Sequence, residues 1–224
     1  MPQAIFFDVD GTLVDTNDLH ARAWDEAFRH FGVALPYQTI RGQIGKGGDN
    51  LLPALLPADL VERSQEEIEA FRSDLYKRDY LPRAAPFPGV RALFERLTQD
   101  GVRLLLASSS HAEEIDHYVE LLGVGGLVDA TTSKDDVEHS KPDPDIFGAA
   151  LKKVAPLQAG DVLVVGDTPY DVEAAGKLGI RTIGVRCGGF ADRDLLGAGA
   201  CALYDDPADL LERYDASPLG RRDK

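Results

Sequence analysis

Three largely apolar runs are each followed directly by a polar residue: AIFF (4–7) by Asp8, VRLLLA (102–107) by Ser108 and VLVVG (162–166) by Asp167, with a shorter fourth run, IRTIGV, at 180–185. A strand without a polar face must be covered on both sides, the condition of a parallel sheet between two helical layers. Helical patterns at 90–97, 112–122, 144–154 and 169–178 occupy the intervals. This alternation predicts an α/β fold, a doubly wound parallel sheet of Rossmann-like type.

Residues 16–83 break the alternation, being long, without a convincing strand and helical throughout. His20, Trp24, Ala27, Phe28 and Phe31 fall on one helical stripe, and 60–80 reads as a second long, charged helix. The expected organisation is an α/β core of residues 1–15 and 86–224 with an inserted α-helical cap at 16–85. The second border, PRAAPFPG (82–89), carries three prolines. A chain that crosses twice is expected to form a hinged lid.

The 44% hydrophobic content of 224 residues provides a substantial core in one or two domains. No apolar run approaches the roughly 20 residues of a membrane span, and the N-terminus lacks a signal-peptide pattern. A cytoplasmic location is expected. Cys187 and Cys201 are too few for a disulfide framework and not spaced for zinc, so both read as ordinary buried or half-buried residues. With 38 acids against 24 bases, the formal charge of −14 argues against nucleic acid or anionic membranes as partners. The basic cluster at 220–224 reads as a frayed tail. A small phosphorylated partner remains open, as does the choice between monomer and homodimer.

The strand ends carry the chemistry. The first delivers Asp8 and Asp10, the second Ser108, Ser109 and Ser110, the third Asp167 with Asp171 beyond it; SKPDPDIF adds Lys141 before a helix that Asp143 is expected to cap and Pro144 to begin. Each has a local alternative. Asp10-Gly11 is a hairpin-turn signal, although it leaves Asp8 unused. Ser110 and Glu113 match a capping box, Thr168 and Pro169 a helix start with Asp171 in its first turn, and Lys141 a solvated charge. Jointly these alternatives do far worse than singly, because unrelated caps have no reason to appear in this order at strand ends, where open parallel sheets gather ligands. Carboxylates crowded there raise one another's pKa and require a cation. Oxygen donors without histidine suit Mg²⁺ rather than zinc, with Lys141 as a fixed charge.

Taken in order, DVDGTLVDT, LLLASSS, SKPDPD and GDTPYD resemble the four motifs of the haloacid dehalogenase-like superfamily, in its phosphatase and phosphomutase members with a helical cap after the first strand. HARAWDEAFRHFG (20–32) is similar to the opening cap helix of the β-phosphoglucomutase-like branch. The resemblance implies Asp8 as nucleophile forming an aspartyl-phosphate, and Asp10 as general acid/base with a partly raised pKa and a main-chain carbonyl on the metal. It implies Ser108 and the Ser109 amide on the phosphoryl oxygens and Lys141 as neutralising charge. Asp167 becomes a Mg²⁺ ligand, and Asp171 either a ligand through water or an anchor. Family dehalogenases lack the second aspartate, and β-phosphoglucomutases usually read Glu-Asp where this chain has Gly166-Asp167. Phosphate-ester hydrolysis is therefore expected ahead of mutase chemistry or an idle phosphate-binding module.

In the cap, RGQIGKGGDN (41–50) combines a glycine turn with two cations, and Asp49 is expected to cap the next helix. It is no nucleotide P-loop, since Lys46 precedes glycine. Arg41 or Lys46 could reach substrate from a closing lid. His20 reads either as packing or as a closure residue beside the first hinge.

Overall fold

The computed structural model describes residues 1–220; the rest of the basic tail read at 220–224 lies outside the described residues. The chain runs β1 (Ala4–Phe7), α1 (Asn17–His30), α2 (Tyr37–Arg41), α3 (Gly48–Leu55), α4 (Ala58–Leu75), α5 (Val90–Gln99), β2 (Arg103–Ala107), α6 (Ala112–Leu122), β3 (Ala130–Thr132), α7 (Asp145–Lys153), β4 (Val162–Gly166), α8 (Pro169–Gly176), β5 (Arg181–Val185), α9 (Asp192–Ala198), β6 (Ala202–Tyr204) and α10 (Pro207–Glu212). The sheet is parallel throughout, in the order β3-β2-β1-β4-β5-β6.

The unbroken apolar runs serve two cores at once. Ile5, Phe7, Leu104, Leu106, Leu163 and Val165 face one helical layer, while Ala4, Phe6, Leu105, Ala107, Val162 and Val164 face the other. Successive side chains of a strand point to opposite faces, so both parities must be apolar when both faces are covered. Phe7 is in register with Leu106 on one side and Val165 on the other. That register brings the three strands to an end at one level. Strand order reverses between β1 and β4, where such sheets open a ligand crevice. The edge strands β3 and β6 escaped the sequence reading because each is three residues long and only partly buried.

The inserted helices have their own core, with Trp24, Phe28, Ile40, Leu51, Leu52 and Ile68 in one cluster. At the two crossings the chain pairs with itself, Asp15 N donating to Ala85 O at 2.8 Å and Phe87 N to Leu13 O at 2.9 Å. The long helix expected at 60–80 stops at Leu75, and Tyr76–Tyr80 continue as a wider π turn. This turn places the Tyr76 hydroxyl 2.6 Å from that of Tyr118 on α6, a buried contact between cap and core. No helix among the described residues is long and apolar enough to cross a membrane.

Several local expectations fail because tertiary partners outcompete the helix ends. His111, not Ser110, precedes α6, and the Ser110 hydroxyl turns to Asp10. Helix α7 begins at Asp145 with Pro144 at the cap position, and Asp143 caps nothing. Gly47 precedes α3, leaving Asp49 free to bond across to the core. Phe31 is only half-buried, just beyond α1. Cys187 is half-buried as expected, but Cys201 is exposed because it lies immediately before an edge strand.

Candidate active site

Asp8 follows β1 directly, its N–H bonded to Val165 O at 2.9 Å, so the sheet ladder aims its carboxylate into the crevice. Asp167 follows β4 and is fully buried, and Asp171 sits in the first turn of α8. One oxygen from each of these three carboxylates lies within 4.8 Å of the others. Lys141, 1% exposed, drives its Nζ between them, 2.5 Å from Asp8 Oδ1, 2.7 Å from Asp171 Oδ1 and 3.0 Å from Ala107 O. Thr12 Oγ1 lies 3.0 Å from both Asp8 Oδ2 and Asp167 Oδ1. Its single proton serves one carboxylate at a time. Asn17 Nδ2 donates to Asp167 Oδ2 at 2.7 Å.

The electrostatics follow from this count. One lysine among three buried carboxylates leaves excess negative charge. Burial pushes the Asp8 carboxyl up to about 7, Lys141 opposing and Asp171 adding to the rise. Burial, with Asp8 and Asp171 beside it, likewise holds Asp167 well above the usual carboxylate range. Burial alone would lower Lys141, but Asp171 and Asp8 outweigh it and keep the ammonium charged. An all-oxygen donor set with uncompensated negative charge fits a hard divalent cation. Asp171 Oδ2 also accepts from Thr168 N–H at 3.0 Å and Oγ1 at 2.7 Å, while its Oδ1 faces the Lys141 ammonium as an ion pair.

Asp10 occupies a different environment two residues away. Thr16 Oγ1 and His20 Nε2 lie 2.7 Å from its Oδ1; Ser110 Oγ at 2.7 Å and Ser108 Oγ at 3.3 Å donate to its Oδ2. Burial works to raise this carboxyl, but His20, Thr16 and Ser110 prevail and hold it well below the usual range. This corrects the partly raised pKa expected for Asp10: the crowd of acids surrounds Asp8 instead. His20 stacks on Tyr76, ring centroids 4.0 Å apart, and its Nδ1 meets Arg72 Nη2. His20 is thus held from both sides, Nδ1 by the Arg72 guanidinium and Nε2 by the Asp10 carboxylate.

A cavity of about 80 Å³ lies over these groups between cap and core. Asp8, Asp10, His20, Ser108, Ser109 and Lys46 line it. The Ser109 hydroxyl is buried there without a hydrogen-bond partner among the described residues. The Lys46 ammonium bonds Gln43 Oε1 at 2.7 Å and lies over the Tyr170 ring. Arg41 is not brought to the cavity. Its guanidinium bonds Asp18 at 2.8 Å and Gly188 O and rests over Phe190, bracing α2 against the core.

The reading from sequence missed Thr12, Thr16, Asn17 and Arg72 as site residues, and it brought Ser110 to the strand end without assigning it a role. Thr16, Asn17 and Ser110 look like ordinary caps, and only the tertiary fold shows which carboxylate each reaches. Arg72 left a signal: it shares a stripe with Ile68 and Tyr76 at four-residue spacing, a charge on an apolar face.

The family model described as haloacid dehalogenase-like hydrolase matches residues 5–185, most of the chain. The chain belongs to that family. Among curated relatives of this haloacid dehalogenase-like hydrolase, it is 30% identical to the phosphorylated carbohydrates phosphatase of Thermotoga maritima, over 93% of this chain and 96% of the relative. It is 31% identical to a phosphoglycolate phosphatase of Nitrosospira multiformis, over 86% of this chain and 87% of the relative. Among solved structures, a hydrolase from Pseudomonas syringae superimposes with a TM-score of 0.88 at 29% identity, covering 96% of this chain and 99% of that one.

Proposed function

We propose that this hydrolase is a Mg²⁺-dependent phosphatase acting on a small phosphorylated metabolite, of sugar phosphate or phosphoglycolate type, through an aspartyl-phosphate on Asp8. The observation that carries the reading is the contrast between Asp8, pinned by Lys141 among carboxylates, and Asp10, held apart in a cage of hydroxyls and His20. Paired carboxylates in unlike environments divide the work of nucleophile and acid/base.

Asp8 and Asp167, with the main-chain oxygen of Asp10, would hold the cation, while Asp171 anchors Lys141. The bound cation supplies charge neutralisation to Asp8 and to the phosphoryl oxygens, which bring further negative charge into the site. Asp8 attacks phosphorus in line, and the P–O bond to the leaving group breaks. Lys141, Ser108 and Ser109 hold charge on the transferring phosphoryl. The arriving phosphate dianion repels the Asp10 carboxylate and raises its pKa, so Asp10 takes up a proton and gives it to the leaving alkoxide. In the second half it accepts a proton from the water that hydrolyses the aspartyl-phosphate. The cap limits competing water.

Hydrolysis is favoured over mutase chemistry by the packing at Gly166, where a Cβ would lie 2.6 Å from Asp171 Cβ and Cγ. The glutamate usual there in β-phosphoglucomutases has no room. We place the enzyme in the cytoplasm, as monomer or homodimer, with the hinge near residues 15 and 86. Release of phosphate from p-nitrophenyl phosphate with Mg²⁺, and its loss with EDTA, tests the activity. Interconversion of glucose 1-phosphate faster than phosphate release would favour the mutase instead.

A further inference from the structure

Ser140 precedes the buried lysine and is itself 3% exposed. Each of its polar atoms bonds to the cap. Its N–H donates to Asp49 Oδ2 at 2.9 Å, its hydroxyl donates to Asp49 Oδ1 and accepts from Gly47 N–H at 2.9 Å, and its carbonyl accepts from Asn50 Nδ2 at 2.8 Å. Within the core the same carbonyl accepts from Asp143 N–H, at 3.0 Å. Gly47 is pressed against this residue so closely that a Cβ would lie 2.3 Å from Ser140 Oγ. Neither Asp49 nor Ser140 lines the cavity.

We propose that Asp49 and Asn50 are positioning residues that grip Ser140 when the cap closes and thereby set Lys141 against Asp8. The inference rests on the phosphatase reading for the role of Lys141. Ser140 and Lys141 share a peptide unit, so a shift of the Ser140 backbone passes directly to a side chain whose Nζ must satisfy Asp8, Asp171 and Ala107 O together. Opening parts all the cap bonds at once, and the lysine loop loses its outer support. Closure over substrate therefore also readies the charge that neutralises the phosphoryl group. The turn must be glycine at 47 for this approach, and its acid at 49 supplies charge-assisted bonds, the stronger kind.

The test uses Asp49→Ala, Asp49→Asn, Ser140→Ala and the double alanine variant, with two readouts. The first is p-nitrophenyl phosphate turnover with Mg²⁺. The second is fluorescence of Trp24, the single tryptophan and part of the cavity wall, titrated with orthovanadate and Mg²⁺. Asp49→Ala is expected to lower kcat by about tenfold or more while KM moves less than about threefold, since the lost bonds contact no substrate. Asp49→Asn, which keeps one acceptor, recovers part of the loss. The double variant falls by less than the product of the two single effects, because the bond between the Ser140 hydroxyl and Asp49 is lost in both single variants. The vanadate midpoint rises in Asp49→Ala by a similar factor. A kcat for Asp49→Ala within about twofold of the parent, or single effects that multiply in the double variant, overturns the proposal. Failure of the wild type to hydrolyse any ester, while vanadate still closes the cap and Asp49→Ala weakens that closure, would overturn the phosphatase reading and leave the grip standing.

Discussion

Asp8 and Asp10 share a motif and a strand end, yet their carboxyls are displaced in opposite directions. Asp8 gathers anionic neighbours around Lys141, whereas Asp10 gathers hydroxyl donors and His20. Asp8→Asn is expected to lower turnover by about a thousandfold or more, since amide nitrogen and oxygen make poor nucleophiles; phosphate release measures it. Lys141→Met leaves three buried carboxylates without their cation and should destabilise the metal-free protein by about 3–5 kcal/mol in urea unfolding. The pH dependence follows from Asp8, whose carboxyl moves from an ordinary 3.8 to about 7 on folding. The folded state holds this proton more tightly than the unfolded chain, so stability is fully present below about pH 4 and is lost as pH rises toward about 7. Asp167 acts in the same sense, while Asp10, lowered on folding, costs stability only in more acid solution. The Tm of the EDTA-treated protein should therefore fall between pH 5 and pH 8. Added Mg²⁺ should restore more of it at pH 8 than at pH 5, because the cation competes with these protons. An equal restoration at both pH values would count against Asp8 and Asp167 as the ligands.

Among the elements, the strands were legible and several helix ends were not. β1 and β4 announce themselves because a doubly covered strand needs apolar residues along its buried length, and β2 and β5 depart from this mainly at their more exposed first residues, Arg103 and Arg181. Helix starts are weaker signals, since Ser110, Asp143 and Asp49 satisfy capping rules on paper but find stronger partners in three dimensions. The π turn at Tyr76–Tyr80 was invisible for a related reason: helical periodicity does not reveal one added residue per turn. Its consequence is measurable. Tyr76→Phe leaves the Tyr118 hydroxyl without its partner at 2.6 Å in a buried contact between cap and core. The expected cost is about 1–2 kcal/mol, and Tyr118→Phe should add little to it in a double-mutant cycle followed by urea unfolding.

For the whole molecule, the charge of −14, with bases gathered only in the short stretch at 220–224, predicts no retardation of duplex DNA or RNA at about 0.15 M salt in a gel-shift measurement. Composition and motif order also carried the fold class, the inserted cap and the convergence of Asp8, Asp167, Asp171 and Lys141, because strand ends in a parallel sheet share one edge by geometry. What residue type and spacing determined by themselves was thus which groups arrive at the crevice. Only the tertiary structure decided how they are paired: Thr12 between two carboxylates, Arg72 behind His20, Arg41 turned to the core instead of the cavity, and Asp49 on Ser140. The physical reason is range. Burial and periodicity are written in neighbouring residues, whereas a hydrogen bond between groups far apart in the chain depends on where two separately built layers come to rest.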